Sequence, residues 1–301
     1  MIVGPATGAQ NSAYSLASFH FSSDEVRTLN RLTLPPIALA AVASACLMRH
    51  AAPPPAPPLA VQLAPGAETY GVVEQRRVTQ EFHGQPMVSE ARTETTLAVT
   101  LDSTDSELSL RAVVESVSVQ GDAGLPPEAV AQAKGAQIFA AVARTGHLIG
   151  ITSPDSGNAI VGRLLLQLPD LLPRLPAEGA TPNTTWSDTT ETHGRTAGLP
   201  LTVRTQTTHH TESWIEREGQ HLMPITSQAT YEVSGEGRPD GQWIEVTGQG
   251  RRMTHRLLTP DGRIAQAIAS DTLDAKLSLP DAGTVIPVLQ TAVDSVRVVQ
   301  R

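Results

Sequence analysis

The sequence predicts a mainly β protein: one large curved antiparallel sheet in two pseudo-repeated halves, with a single central leucine-rich helix against it. Three observations carry this expectation. From about Tyr70 apolar and polar residues alternate with period two. One segment, Ser156 to Leu175, breaks that rhythm and sets its leucines at helical spacing. The stretches before and after that segment each run through long hairpin patterns, as two half-sheets fused into one would.

The strands come first in the chain. Leu97, Val99 and Leu101 alternate with Thr96, Ala98 and Thr100, and Leu108, Leu110, Ala112 and Val114 continue after an Asp102–Asp105 turn. Later, Ile225, Ala229, Tyr231 and Val233 share one face, as do Leu273, Ala275, Leu277 and Leu279. His83-Gly84, Pro239-Asp240-Gly241 and Pro260-Asp261-Gly262 supply turn chemistry between these runs. One apolar and one polar face per strand implies an antiparallel sheet with a wet side.

In the segment that breaks the pattern, Ile160, Leu164, Leu168, Leu171 and Leu175 recur at helical spacing, with Ser156 or Asn158 as the cap. Pro169 and Pro173 remove backbone donors, so a helix to about Leu168 and one further helical turn are expected. Ile160, Leu164, Leu168 and Leu171 are the candidate ligand-facing residues, and core packing is the simpler role for them.

Composition narrows the partners. The formal net charge is −8, which gives no electrostatic footprint for nucleic acid. Aromatics are only 3% of the chain, so the core must be built from Val, Leu, Ile and Ala. With one cysteine, Cys46, neither an intrachain disulfide framework nor a multi-cysteine metal site can form.

Cys46 belongs to a leader. Arg27 and Arg31 precede an apolar run from Leu32 to Val42, and Ala43-Ser44-Ala45 lead into Cys46. This is the layout of a secretory signal. Small residues directly before cysteine resemble the lipobox of bacterial lipoproteins, although Ala43 stands where leucine is commonest. That resemblance implies lipidation of Cys46 after removal of residues 1–45. The run is shorter than the ~20 residues of a spanning helix and contains Pro35-Pro36. Asp24 and Glu25 do not suit the front of a leader, which suggests a start near Val26. Residues 46–65, with Pro53-Pro54-Pro55 and Pro57-Pro58, read as an extended tether. Residues 66–301 form the β-rich exported domain. Leu47 after the cysteine resembles lipoproteins sent to the outer membrane, facing the periplasm.

Leader, spacer, paired β-halves and central helix, with Trp186 opening the second half, resemble an uncharacterised family of β-rich bacterial lipoproteins. In outline the chain is also similar to the curved half-barrels that carry lipoproteins or lipids across the periplasm. The resemblance covers residues 66–300, implies a lipid-binding cavity and carries over no catalytic residue.

Direct chemistry is sparse. On a strand His209 and His210 face opposite sides, so only His210 and Glu212 point together, with His193 the third residue a metal site would need. A polar exposed strand is the simpler reading, and no metal or cofactor is expected. Gly-x-Ser-x-Gly, phosphate-loop and dinucleotide patterns are absent. Glu74, Glu81, Glu90 and Glu94 recur along strands and read as a solvated face. The expected function is an envelope lipoprotein that binds or carries an apolar ligand or lipid, without catalysis. The alternative is a structural or assembly-associated outer-membrane lipoprotein without a ligand, and an enzyme is the third class.

Overall fold

The structure is a computed structural model describing residue 58 and residues 60–82, 84–121, 127–196 and 199–299. Cys46, the leader and most of the proline run lie outside the described residues. Twelve strands form one antiparallel sheet. The first half contributes β1 (Gly66–Phe82), β2 (Gln85–Ser103), β3 (Leu108–Gly121), β4 (Gln137–Val142) and β5 (Leu148–Thr152). The second contributes β6 (Thr185–Thr196), β7 (Leu199–Thr211), β8 (Ile215–Arg217), β9 (Gln220–Gly237), β10 (Ile244–Leu258), β11 (Ile264–Leu279) and β12 (Thr284–Val298). The order is β5-β4-β3-β2-β1-β12-β11-β10-β9-β7-β6, with β8 paired to β9 off that path. Each half is a meander, and the halves join where the first strand pairs with the last. The sheet is not closed, and its edges are β5 and β6.

Two short helices interrupt the strands, one between β3 and β4 and one between the two halves. Helix α1 (Pro127–Ala133) is additional to the one helix expected, and it starts with Pro127 and Glu128, both suited to a first turn. Helix α2 (Ala159–Gln167) begins where Asn158 accepts hydrogen bonds from the Ile160 and Val161 amides. A 3₁₀ turn, Leu168–Leu171, follows. Pro169 cannot donate to an α-helical ladder, so the chain tightens there instead of continuing.

The helices reveal the curl of the sheet. Helix α1 packs on β3 and on α2, and α2 packs on β6. In the strand order β3 and β6 are eight positions apart, about 38 Å across a flat sheet. A nine-residue helix is only about 14 Å long. The sheet must therefore wrap around the helical segment, and the segment fills one end of the concave side.

That end holds the main core. Leu97, Leu108, Leu110, Ile138, Leu168 and Leu258 are fully buried there, together with Ile160, Val161, Leu164, Leu171 and Leu175. Val61 to Ala64, read from sequence as the end of the tether, belong to the folded domain. Val61 pairs with Ala180, the Leu63 amide donates to Arg144 O, and the Ala64 amide donates to Asp261 O. Val61 and Leu63 are buried in the main core. The chain therefore enters the domain at its plugged end. Pro154 leaves the first meander toward α2, whereas Pro260 lies between β10 and β11 inside the second, so the two Pro-Asp turns are not equivalent positions.

The two faces differ in chemistry. Residues on the convex side include Arg77, Gln249, Arg251, Asp274 and Lys276, all exposed, beside scattered Met253, Ile268, Leu289 and Val293. On the concave side the same strands carry Val78, Ala275, Val288 and the main core. A membrane-spanning barrel has the opposite arrangement, with an apolar band outside and a polar interior.

Candidate functional site

Strand parity and register together build a polar belt on the concave face. One register row runs Thr93–Glu74–Asp294–Ala269–Thr254–Ser227–His209–Trp186 across eight strands. The next row, one pleat further from the plugged end, runs Ala91–Arg76–Ala292–Asp271–Arg252–Ala229–Thr207–Asp188. Alanines between the charged residues leave room for long side chains to lie along the sheet. The belt is unexpected from the sequence pattern: Glu74, read as part of a solvated face, is buried at 5% exposure.

The belt also fastens the helical segment. Arg163 on α2 reaches Glu74 at 3.6 Å. Asp170, in the 3₁₀ turn, pairs with Arg252 at 2.8 Å, and Arg252 also pairs with Asp294 at 2.9 Å. Arg174 reaches Asp188 at 3.5 Å, and Trp186 Nε1 donates to Arg174 O at 2.9 Å. Arg76 is paired with Glu74.

Burial and pairing divide the acids. Burial opposes ionisation of Glu74, but Arg76 and Arg163 outweigh it and hold the carboxyl down at about 2. Asp294 is Glu74's direct cross-strand partner. There burial dominates over Arg252, and Glu74 and Asp170 add repulsion, so its carboxyl is pushed up to about 7. Burial also raises Asp271. Arg256 is lowered to about 10 by burial, which Asp170 only partly offsets. It makes 3.3 Å and 3.5 Å contacts to Ser227 Oγ and Asp170 O.

A serine, a histidine and an aspartate meet in this belt. Ser227 Oγ and His209 Nδ1 share a hydrogen bond of 2.8 Å. His209 Nε2 lies 3.5 Å from Asp188 Oδ1, long for a hydrogen bond, so we treat that contact as electrostatic. Trp186 stacks on the imidazole with ring centroids 5.1 Å apart. Ser227 and His209 are each only 3% exposed, so the pair is closed off from solvent. The geometry suits a structural network that keys Trp186 and the Arg174 loop onto the sheet.

The metal candidates are scattered. His210 sits opposite Thr185 and shares a hydrogen bond with it, while His193 sits opposite Thr202 at the other end of the same hairpin. Both are exposed, as is Glu212. No group of three His, Cys, Asp or Glu able to hold a metal occurs among the described residues.

The candidate ligand-facing residues Ile160, Leu164, Leu168 and Leu171 pack into the main core. Two voids line the helix–sheet contact, one beside Leu168 and Leu171 and one beside Ile160 and Leu164, each about 10 Å³. That is about the volume of one water probe, against the several hundred Å³ of a ligand pocket.

Beyond the belt, away from the plug, the concave face turns apolar. One row runs Val203–Val233–Gly248–Ala275–Val288 and the next places Val246, Leu277 and Ile286 side by side. Val78, Ala275 and Val288 are buried, and Leu273, Leu277 and Ile286, partly buried, pack on them. This second cluster forms an apolar trough floor separated from the main core by the belt. Its parity was legible in the sequence for Leu273, Ala275 and Leu277, but its separation from the helix was not.

No family model matches the chain, and no curated protein matches it. Among solved structures, it is similar to an outer membrane channel from Pseudomonas putida F1, at 11% identity and TM-score 0.25, over 79% of this chain and 97% of that one. It is also similar to OmpT, an outer membrane protein of Vibrio cholerae, at 6% identity and TM-score 0.21, over 78% of this chain and all of that one, 100%. Likenesses at these TM-scores carry no argument about fold or function.

Proposed function

We propose that the chain is an envelope lipoprotein, held to a membrane through Cys46, that binds or carries an apolar ligand or lipid and performs no reaction. The carrying observation is the trough: Leu273, Leu277 and Ile286 are only partly buried on the concave side of a sheet whose convex side carries many of its charges. The helix stripe, our first expectation for the ligand face, packs into the core instead. The burial of the Ser227–His209 pair, closed off from solvent, favours binding over catalysis.

Native mass spectrometry of the full-length chain, purified from membranes in mild detergent, tests this. A recurring bound lipid is expected, lost in Leu277→Asp, whose carboxylate would sit on the trough floor. Absence of any adduct in repeated preparations of the folded wild type would overturn the reading.

A ligand-free structural or assembly role is the second reading. It is favoured by the filled contact under α2, where the voids measure only about 10 Å³ each.

A further inference from the structure

We propose that the ligand is a single-chain amphiphile whose anionic end group seats against Arg76 and Arg252 while its hydrocarbon tail lies along the apolar rows beyond them. This deepens the reading just given and rests on it. A ligand that was hydrocarbon throughout would be matched by a trough that stayed apolar along its whole length. This trough does not. Along β11 the concave positions read Leu277, Ala275, Leu273 and then Asp271, and Asp271 is flanked in register by Arg252 and Ala292, with Arg76 beyond. From Leu277 to Asp271 is about 20 Å of strand, comparable with an extended long acyl chain.

The two arginines carry spare donor capacity. Arg76 Nε and Arg252 Nε are buried and make no hydrogen bond among the described residues. A buried donor left unpaired is costly, and a carboxylate or phosphate oxygen is the acceptor that satisfies it best. Ala91, Ala292 and Ala229 stand beside the charged residues in that row, so small side chains border the place where an end group would sit. Asp271 stands in the same row between the two arginines and accepts a hydrogen bond from the Tyr231 hydroxyl at 2.7 Å, while the next row outward, Tyr231, Gly250, Leu273, Gln290, Val78 and Ser89, carries no charge.

The belt can also absorb the incoming charge. Asp294 on β12 faces Glu74 and Arg76 on β1, Asp170 in the 3₁₀ turn, and Arg252 on β10, with Asp271 of β11 nearby. Its carboxyl already sits at about 7. An anion placed against Arg252 raises it further, so Asp294 takes up a proton and Arg252 exchanges one negative partner for another.

The test is calorimetric titration of the delipidated full-length chain, below micelle-forming concentrations, with oleate and with methyl oleate. These probes share a tail and differ in the charge of the end group. Oleate is expected to bind about tenfold tighter, the equivalent of about 1.4 kcal/mol. Arg76→Met should bring the two within about twofold, while Arg76→Lys, which keeps the charge, retains most of the preference. Circular dichroism of each variant establishes folding. Equal affinities in the wild type would overturn the end-group assignment and leave the apolar-ligand reading standing. Binding of neither probe would overturn both. A preference that survives in folded Arg76→Met and in folded Arg252→Met would also overturn the assignment.

Discussion

At the scale of single residues, Glu74 and Asp294 make opposite contributions although they face each other across β1 and β12. Glu74 is held at about 2 in the fold, below the ordinary 4.5. The unfolded chain therefore binds the proton more readily, and Glu74 adds stability that is present above pH 4.5 and lost as pH falls toward 2. Asp294 is raised from 3.8 to about 7. Here the fold binds the proton more readily, so stability is fully present below pH 3.8 and declines as pH rises through 7. Asp294→Asn should match wild type near pH 4 and exceed it at pH 8. Glu74→Gln should be destabilising at pH 7, by a margin that narrows as pH falls from 4.5 to 3. Urea midpoints across pH 3–8 check both; parallel curves for wild type and Asp294→Asn would refute the first. Neither carboxyl stood out in the sequence. Glu74 shares parity with Tyr70, Val72 and Val78, which was the available signal. Its buried partner, Arg163, comes from a helix whose placement period-two reading does not give.

At the scale of elements, local chemistry was highly legible. The Asn158 cap, the end of α2 at Gln167 and the turn beyond it follow from one Asn and two prolines. Capping is worth about 1 kcal/mol, and Asn158 Nδ2 also donates to Ala129 O on α1. Asn158→Ala should therefore lower stability by about 1–2 kcal/mol, read as a shift in urea midpoint at constant slope. What the pattern could not supply is where an element docks. The Gly146 turn between β4 and β5 shows why. Gly146 has φ +81°, and an added Cβ would collide with the Pro173 carbonyl after α2. Gly135 has the same kind of backbone, φ +84°, but open space beside it. Gly135→Ala should cost only the left-handed strain, about 1–2 kcal/mol. Gly146→Ala should cost clearly more, because the turn must also separate from Pro173. Equal losses in thermal unfolding would mean that the turn and the helical segment are not docked as described. The sequence shows both glycines alike; only tertiary packing separates them.

At the scale of the whole molecule, curl and polarity decide what the sheet can do. Alternation fixed which residues share a face, but it could not show that β1 and β12 would pair and bring two meanders into one sheet. That long-range pairing places the charged rows between a closed core and an apolar trough. It also turns the polar faces outward, where Arg77, Arg251, Asp274 and Lys276 are exposed. Charged outward positions are costly in a bilayer, so the β-domain itself should have no affinity for the membrane core. The strap Val61–Ala64 is held to the plugged end of the domain through Ala180, Arg144 and Asp261. Under the proposed anchoring through Cys46, loss of that lipid should release the protein altogether. In cell fractionation, the full-length chain should sediment with membranes and resist a high-salt wash. Cys46→Ser should move to the soluble fraction without losing its circular dichroism. If Cys46→Ser remains in salt-washed membranes, either the uncleaved apolar run from Leu32 to Val42 or the sheet itself holds it there. Replacing that leader with one cut by a different signal peptidase separates the two. Retention even then would show that the sheet itself binds the bilayer despite its outward charges.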